Sequence, residues 1–279
     1  MLSYIGGKSK IGKWIVPFYP KDMEVYLETF GGMFWCFYNM DLKQYPNLKQ
    51  VVYNDFNPLN YNLFKCVQNP TELLRAINNI DCQKQGVSIT PNVYKEQFVS
   101  FQAELFDKNF SLEPGDYEVA AKYVYILTQV FSGSKPETSN FIDLKGNYKS
   151  KYLTFRDKLS KPEWVDHFLK ITDIENMDFE DVIKKYDSES TYIYLDPPYW
   201  KTENYYNNHD FDVDDHKRLA NVLHNVKGKF SLSYYDFELL HEWFPETQYT
   251  WAKKEFAKAA AAKKGTKQNM GEELLIMNY

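Results

Sequence analysis

The stretch Tyr192-Ile193-Tyr194-Leu195-Asp196-Pro197-Pro198-Tyr199 decides the fold of this chain. Its first four residues form a β-branched and aromatic run that is typical of a buried strand. Two consecutive prolines cannot continue a strand ladder, so the chain must turn directly after Asp196. Because ligands of open α/β sheets bind at the carboxyl ends of strands, this turn predicts a binding site that contains a carboxylate and a tyrosine ring.

An exocyclic amine on a flat ring is the chemical group that such a site suits. The Asp196 carboxylate and the backbone carbonyls of Asp196 and Pro197 can accept its two N–H bonds, since proline brings no competing N–H. The ring of Tyr199 can stack on the base that carries the amine. Taken alone, however, the motif is equally compatible with an ordinary strand followed by a Pro-Pro turn and a chance aspartate.

A second feature lies near the amino terminus, where the sequence alternates between strand and helix patterns. Strands are predicted at Val25–Thr29 and Val51–Asn54, with Gly31-Gly32 and a helix over Met33–Asp41 between them. Asp55 follows the second strand and is predicted to accept hydrogen bonds from both hydroxyls of a ribose. The alternative for Asp55 is an Asx turn that precedes Pro58. The order favours the first half of a Rossmann-like nucleoside site.

Four segments together resemble the Dam-like adenine-N6 DNA methyltransferases (D12 class, group alpha). Ser3-Tyr4-Ile5-Gly6-Gly7-Lys8 is similar to their (W/Y)-x-G-G-K element, and Glu28-Thr29-Phe30-Gly31-Gly32-Met33-Phe34 to their E-P-F-x-G-x-G loop. Asn54-Asp55-Phe56-Asn57-Pro58 is similar to their acidic turn, and Asp196-Pro197-Pro198-Tyr199 to their catalytic motif. The resemblance spans nearly the whole chain and implies a Rossmann-like methyltransferase sheet with a mostly helical insert that carries a hairpin.

The resemblance also implies S-adenosylmethionine as the cofactor, duplex DNA as the partner and a role for each matching residue. The implied catalytic residues are Asp196, Pro197, Pro198 and Tyr199. The implied cofactor-binding residues are Tyr4, Lys8, Glu28, Phe30, Gly31, Gly32, Asp55, Asp178, Phe179 and Asp196. Asp196 is expected to orient a flipped-out adenine amine, and Lys8 to pair with the cofactor carboxylate.

Target recognition is assigned to the region between the cofactor loop and the catalytic motif. The predicted catalytic domain covers residues 1–57 and 166–279, and the predicted recognition domain covers 58–165. A hairpin within the insert is predicted to bind DNA through Lys145, Asn147, Lys149 and Lys151, because ammonium and amide groups suit phosphates and base edges. Lys253–Lys267 is a second basic cluster, and the alanines at 259–262 within it are expected to form an exposed loop.

The remaining strands are predicted from short apolar runs. Phe168–Ile171 is predicted to resume the sheet, and Leu274–Asn278 to be its last strand, while Asp178 and Phe179 are placed in a loop before a helix over Glu180–Tyr186.

The composition of the chain limits the classes of protein to which it can belong. The chain has 279 residues, 44% of them hydrophobic, so it is long enough for a large buried core. Its three cysteines and five histidines lack the spacing of a disulfide framework or a zinc site, so no metal is expected. No apolar leader or membrane-spanning stretch is evident, and a cytoplasmic location is expected. The net charge of −5 is unusual for a DNA-binding protein, so a local basic face is needed.

Some positions depart from the family pattern, and several activities stay open. Thr29 stands where proline is usual, Met33 where a small residue is usual, and the hairpin keeps only a glycine and an aromatic residue.

An RNA adenine, cytosine-N4 or protein glutamine methyltransferase is an alternative, although Asp196 argues against the last two. A DNA-binding protein without catalytic activity is another alternative. A cognate restriction endonuclease and a monomer or weak dimer are compatible with the sequence.

Overall fold

The computed structural model describes residues 8, 11–80, 91–130, 135–142, 151–200, 211–257 and 270–279. These residues divide into two compact units. The first unit contains Gly32–Tyr38 and Asp55–Asn176, and the second contains Lys8–Gly31, Asn39–Asn54 and Met177–Tyr279.

Within the described ranges the chain forms seven strands and eleven α-helices. The strands are β1 (Val25–Glu28), β2 (Gln50–Asn54), β3 (Asp173–Glu175), β4 (Thr191–Leu195), β5 (Lys229–Tyr234), β6 (Thr250–Ala257) and β7 (Met270–Met277). The helices are α1 (Gly12–Ile15), α2 (Trp35–Tyr38), α3 (Pro58–Val67), α4 (Pro70–Ile80), α5 (Pro91–Leu105), α6 (Tyr117–Gln129), α7 (Lys151–Leu159), α8 (Pro162–Phe168), α9 (Phe179–Tyr186), α10 (Val213–Leu223) and α11 (Glu238–Trp243).

The second unit is built on a mainly parallel sheet. Its strands are hydrogen-bonded in the order β2-β1-β4-β5-β7-β6, in which β7 is antiparallel to both β5 and β6. The order of the parallel strands reverses between β1 and β4, where Glu28 pairs with Tyr194. A crevice for ligands opens at such a switch point, outside the carboxyl ends of the strands. The predicted α/β class with a Rossmann-like sheet is confirmed.

Burial on both faces explains why these strands are so apolar. All five residues of β4 are buried, as expected for a central strand of a parallel sheet. Its aliphatic side chains join a core that includes Val182 of α9 and Leu219 of α10. Its tyrosines point the other way, and Tyr192 packs on Tyr19 with ring centroids 4.6 Å apart. The two layers hold β4, and therefore Asp196, at a fixed position.

The first unit is mostly helical. Helix α6 packs on α3, α4, α5 and α7, and ten of its thirteen residues are buried. Asp116 caps its amino terminus by accepting a hydrogen bond from the Val119 N–H at 3.0 Å. The side chain of Asn62 in α3 accepts from the backbone N–H groups of Gly115 and Asp116, at 2.7 and 3.0 Å. The cap and this buried amide fix where α6 begins.

Three sequence predictions are corrected by the structure. Phe168–Ile171 is not a strand, because Phe168 ends α8 and the next residues close its last turns, with the Leu169 N–H bonded to the Val165 carbonyl at 2.9 Å. Phe179 is the first residue of α9 rather than part of a loop. The strand β6 was not predicted, yet it pairs with β7 along its whole length.

Two aromatic residues shortly after the predicted basic hairpin in the sequence have a structural role in the first unit. Tyr152 and Phe155 are each 3% exposed, and the Tyr152 hydroxyl donates to the Ile77 carbonyl at 2.7 Å. They therefore pack inside the unit and do not form a stacking surface for bases. In the parts of the chain that the structure describes, no helix is both long and apolar enough to span a bilayer.

Candidate active site

Four polar side chains meet beyond the carboxyl end of β4 and form what we call the buried charge cluster: Lys8, Asp196, Tyr199 and Glu273. The Lys8 ammonium lies 2.9 Å from Asp196 Oδ1 and 2.7 Å from Glu273 Oε1. The side chains of Lys8, Asp196 and Glu273 are 7%, 17% and 2% exposed. Ions this deeply buried persist only when they are paired and hydrogen-bonded, so the cluster is a coupled unit.

Tyr199 connects the two carboxylates of the cluster. Its hydroxyl lies 2.9 Å from Asp196 Oδ1 and 2.5 Å from Glu273 Oε1, and it accepts a hydrogen bond from Lys8. Burial, followed by the negative charges of Asp196 and Glu273, raises the pKa of Tyr199, so the hydroxyl keeps its proton. A single proton serves one acceptor at a time, and the shorter contact indicates that Glu273 receives it more often.

The ring of Tyr199 is enclosed. Tyr234 stacks on it with centroids 5.4 Å apart, and Tyr235 meets it edge-on at 4.4 Å. The Lys8 ammonium lies 4.7 Å from the ring centroid. Stacking of a base on Tyr199, as predicted from the sequence, therefore requires Tyr235 or Lys8 to move aside.

The cluster contains two carboxylates and one ammonium, which perturbs the pKa of each. Burial alone lowers the pKa of Lys8, but the attraction of Asp196 and Glu273 outweighs burial and raises it well above its usual value. For Asp196, burial raises the pKa, Lys8 lowers it, and repulsion from Glu273 raises it again, with a net upward shift. At neutral pH the cluster therefore carries net negative charge in a poorly solvated place.

Glu28 and Asn54 fix the loops beside the cluster. Glu28 ends β1, is 3% exposed and accepts a hydrogen bond from the Tyr26 hydroxyl at 2.6 Å. The Asn54 amide donates to the carbonyls of Thr29 and Met177, at 2.8 and 3.1 Å, and accepts from the Met177 N–H at 2.9 Å. Asn54 thus ties the ends of β1 and β2 to the segment before α9. It was not among the predicted site residues, although it directly precedes the acidic turn.

The glycine loop that follows β1 packs closely on the end of β2. A Cβ added to Gly31 would lie 2.3 Å from the Tyr53 ring, so only glycine fits there. The backbone N–H of Gly32 donates to Asp55 Oδ2 at 2.6 Å, and the N–H of Asn57 donates to Asp55 Oδ1 at 2.8 Å. Burial raises the pKa of Asp55 to about 6, against the lowering effect of these N–H groups. Asp55 thus forms the Asx turn that was the alternative, and it keeps free lone pairs for another donor.

Asp178 and Phe179, predicted to bind the cofactor, lie at the start of α9 in the second unit. Asp178 caps α9, and its carboxylate accepts hydrogen bonds from the two terminal nitrogens of the Arg218 guanidinium, at 2.7 and 3.0 Å. The same guanidinium lies 4.1 Å from the centroid of the Phe179 ring. Phe30, Phe179 and Phe211 then form an aromatic triad with centroids 5.8–5.9 Å apart. Arg218 and Phe211 were not predicted, since only the folded chain brings them to this pair.

Several predicted site residues lie outside the described part of the chain. Tyr4, Lys145, Asn147 and Lys149 are among them, as are the alanines at 259–262. Lys151 is the first residue of α7. Among the residues that the structure describes, no group of three or more His, Cys, Asp or Glu side chains has the arrangement of a metal site.

A Rossmann-like sheet with Asp-Pro-Pro-Tyr at its switch point defines the class of S-adenosylmethionine-dependent amino-methyltransferases. Within that class, the chain belongs to the D12 class N6 adenine-specific DNA methyltransferase family, whose family model matches residues 4–257. The family predicted from the sequence is confirmed.

Two curated proteins are similar to the chain. The modification methylase StsI of Streptococcus sanguinis is 26% identical over 244 residues, which cover 85% of this chain but only 33% of that protein. The type II methyltransferase M.CviBI of Paramecium bursaria Chlorella virus NC1A is 25% identical over 232 residues, which cover 82% of this chain and 80% of that protein. The chain therefore spans about a third of the first relative and most of the second.

Proposed function

We propose that this protein is a site-specific DNA methyltransferase that transfers a methyl group from S-adenosylmethionine to the N6 amine of an adenine in duplex DNA. The observation that carries the proposal is the Asp196 carboxylate at the switch point of the sheet, held within the buried charge cluster. Family membership and the names of both relatives, a modification methylase and a type II methyltransferase, support it.

The residues around the sheet fit S-adenosylmethionine. The net negative charge of the buried charge cluster favours a cationic ligand. Asp55 offers free carboxylate lone pairs in a partly buried turn, which suits ribose hydroxyls as donors. The apolar faces of Phe30 and Phe179 suit an adenine ring, and Asp178 suits its amine. When bound, the cofactor supplies an electrophilic methyl group on a sulfonium.

Orientation of the target amine is the main chemical task of Asp196. Its carboxylate and a carbonyl of the Pro-Pro turn accept the two N–H bonds of the amine and direct the nitrogen lone pair outward. Lys8, Tyr199 and Glu273 hold the carboxylate in place through the contacts described above. Because the site is poorly solvated, these hydrogen bonds are stronger than in water.

DNA recognition is assigned to the first unit and its neighbouring hairpin. Duplex DNA hides the adenine amine, so the base must leave the stack before it can reach Asp196. We assign phosphate and base contacts to Lys145, Asn147, Lys149 and Lys151. As one relative is named a modification methylase, the proposal includes a cognate restriction endonuclease. A monomer or weak dimer and a cytoplasmic location are proposed from the sequence alone.

The test of the proposed function is replacement of Asp196 by alanine. Asp196→Ala is expected to lower methyl transfer at least 1000-fold, because it removes the group that orients the amine, which can contribute about 10²–10⁴-fold or more. S-adenosylmethionine binding, measured by calorimetry, is expected to survive. The control is Asp166→Ala at an exposed position on α8.

The assay uses labelled S-adenosylmethionine with unmethylated DNA, followed by nucleoside analysis. Transfer to RNA, to cytosine or to no acceptor by the wild-type protein would refute the proposed substrate. Wild-type turnover by Asp196→Ala would refute the assignment of Asp196.

A further inference from the structure

Glu273 is a buried carboxylate at the start of the buried half of β7. It lies in β7 directly before Leu274–Met277, all of which are buried, and it is itself 1% exposed. An ionised carboxylate loses most of its hydration there, so it is tolerated only when its partners are well placed. Its partners are Lys8 at 2.7 Å and the Tyr199 hydroxyl at 2.5 Å, both in the buried charge cluster.

Glu273 competes with Asp196 for the Lys8 ammonium and for the proton of the Tyr199 hydroxyl. Lys8 has a single positive charge and two carboxylate neighbours, so neither carboxylate is fully neutralised. The Tyr199 proton is likewise drawn toward the closer oxygen of Glu273. Without the charge of Glu273, Lys8 and Tyr199 would both be available to Asp196 alone, and they would occupy its acceptor lone pairs.

We propose that Glu273 is a positioning residue for methyl transfer. It keeps Lys8 and Tyr199 partly engaged elsewhere, so that the Asp196 carboxylate remains a strong acceptor for the target amine. This inference rests on the proposed function and deepens the description of the same site. Glu273 need not touch the substrate to act in this way.

A pH dependence follows from the groups that face Asp196. They are Lys8, Glu273 on β7, Tyr199 in the same turn and Tyr235 after β5, and Tyr194 on β4 interacts with Tyr199. Removing the negative charge of Glu273 leaves the attraction of Lys8 unopposed, so Asp196 should titrate at lower pH. A role of Glu273 in packing alone would not move this titration.

The experiment compares Glu273→Gln with Glu272→Gln. Glutamine keeps the size and the acceptor oxygen of Glu273 but removes the charge, and Glu272 is the exposed neighbour with the same charge change. For Glu273→Gln we expect kcat to fall on the order of 10-fold with KM for S-adenosylmethionine within about 3-fold. The acid limb of kcat and the ¹³C NMR titration of the Asp196 carboxyl, assigned with Asp196→Asn, should move down by about one pH unit. Glu272→Gln should match the wild type.

An unchanged Asp196 titration in Glu273→Gln overturns the inference, whether or not the wild type methylates DNA, because the NMR readout needs no turnover. Absence of DNA methylation by the wild type overturns the proposed function instead. If Glu273→Gln does not fold, Glu273→Asp keeps the charge. Its Asp196 titration should stay within about half a unit of the wild type, and a downward shift of one unit would count against the inference.

Discussion

Phe34 has the most unusual backbone of any described non-glycine residue. Its φ is 55°, in the left-handed region, and it occupies the seventh position of the loop pattern E-P-F-x-G-x-G, where the pattern has glycine. Its ring is fully buried in the first unit, stacked on Phe37 at 4.7 Å and edge-on to Phe64 at 5.9 Å. A left-handed conformation costs a bulky residue about 1–2 kcal/mol, which packing of the ring must offset.

Comparison of Phe34→Ala with Phe34→Gly separates these two effects. Both variants lose the ring, which should lower the free energy of unfolding by about 3–5 kcal/mol for alanine. Glycine adopts the left-handed conformation without a steric cost, so the glycine variant should be about 1 kcal/mol more stable than the alanine variant. Urea unfolding followed by tryptophan fluorescence measures the difference. Equal stability of the two variants, or greater stability of alanine, would show that the backbone at this position is not strained.

The sequence alone does not show which of the predicted site residues contact one another. Asp196 and Lys8 were predicted in separate roles, with Lys8 directed at the cofactor, and the structure places them in one ion pair. Glu273 was missed because it lies 74 positions from Tyr199, and no local pattern marks one glutamate before an apolar strand as a ligand of a distant tyrosine. Contacts of this kind depend on the register of the folded sheet.

At the scale of helices and strands, burial decides which elements the sequence predicts correctly. The strands β1, β2 and β4 were predicted nearly to their ends, because a strand buried on both faces is continuously apolar. The edge strand β6 was missed, since Lys253, Lys254 and Glu255 face solvent and give it the composition of a loop. The helix end at Phe168 was mistaken for a strand because four apolar-rich residues fit either structure.

Arg218 links α10 to α9 in the second unit. Besides Asp178, its guanidinium contacts Glu180 at 3.1 Å and Asp215 at 2.8 Å. Burial opposes ionisation of Asp178, but the hydrogen bonds from Arg218 prevail and lower its pKa. One guanidinium thus pairs with three carboxylates and covers the Phe179 ring.

Removal of this guanidinium should loosen the contact between the two helices. Arg218→Ala is expected to lower the free energy of unfolding by about 1–2 kcal/mol, since charged hydrogen bonds are lost at a partly exposed position. Arg218→Lys should be intermediate, because lysine cannot form the two-pronged contact with Asp178. Urea unfolding at pH 7 measures these differences.

The matched control is Lys184→Ala, which removes an exposed lysine bonded to Glu180 at 2.6 Å and should change the stability much less than Arg218→Ala, because solvent screens an exposed ion pair. The effect of Arg218→Ala should shrink as the pH falls through the lowered pKa of Asp178, because a protonated Asp178 no longer pairs with the guanidinium. If Arg218→Ala and Lys184→Ala change the free energy of unfolding equally at pH 7, Arg218 does not link the helices.

For the molecule as a whole, two buried carboxylates carry charges that oppose folding. Each unit holds a carboxylate whose pKa burial raises: Asp55 in the first unit and Asp196 in the second. Ionisation of these groups at neutral pH lowers the stability of the fold, in contrast to an ordinary carboxylate in a surface ion pair. Such groups are common where a protein binds a ligand that supplies the missing donors or charge.

Asp55 offers a test of this relation between site and stability. Its pKa is about 6 in the folded protein, against about 3.9 for an unfolded aspartate, so the folded state binds the proton more tightly. Folding therefore takes up a proton between about pH 4 and 6, and the contribution of Asp55 to stability falls as the pH rises through this window. Asp55→Asn does not titrate. The free energy of unfolding of the wild type, measured relative to Asp55→Asn by urea titration at pH 4, 5, 6 and 7, should therefore decrease with pH and level off above 6.

The exposed Asp166→Asn variant is the control and should differ from the wild type by a nearly constant amount over the same range. A constant difference for Asp55→Asn, or a difference that grows with pH, would mean that Asp55 is not held ionised against its surroundings. The same substitution should weaken S-adenosylmethionine binding in calorimetry at pH 7, since it replaces an acceptor of ribose hydroxyls with an amide that has only one acceptor oxygen. If Asp55 serves ligand binding at the expense of stability, Asp55→Asn should be more stable than the wild type at neutral pH. The same variant should also bind the cofactor less tightly.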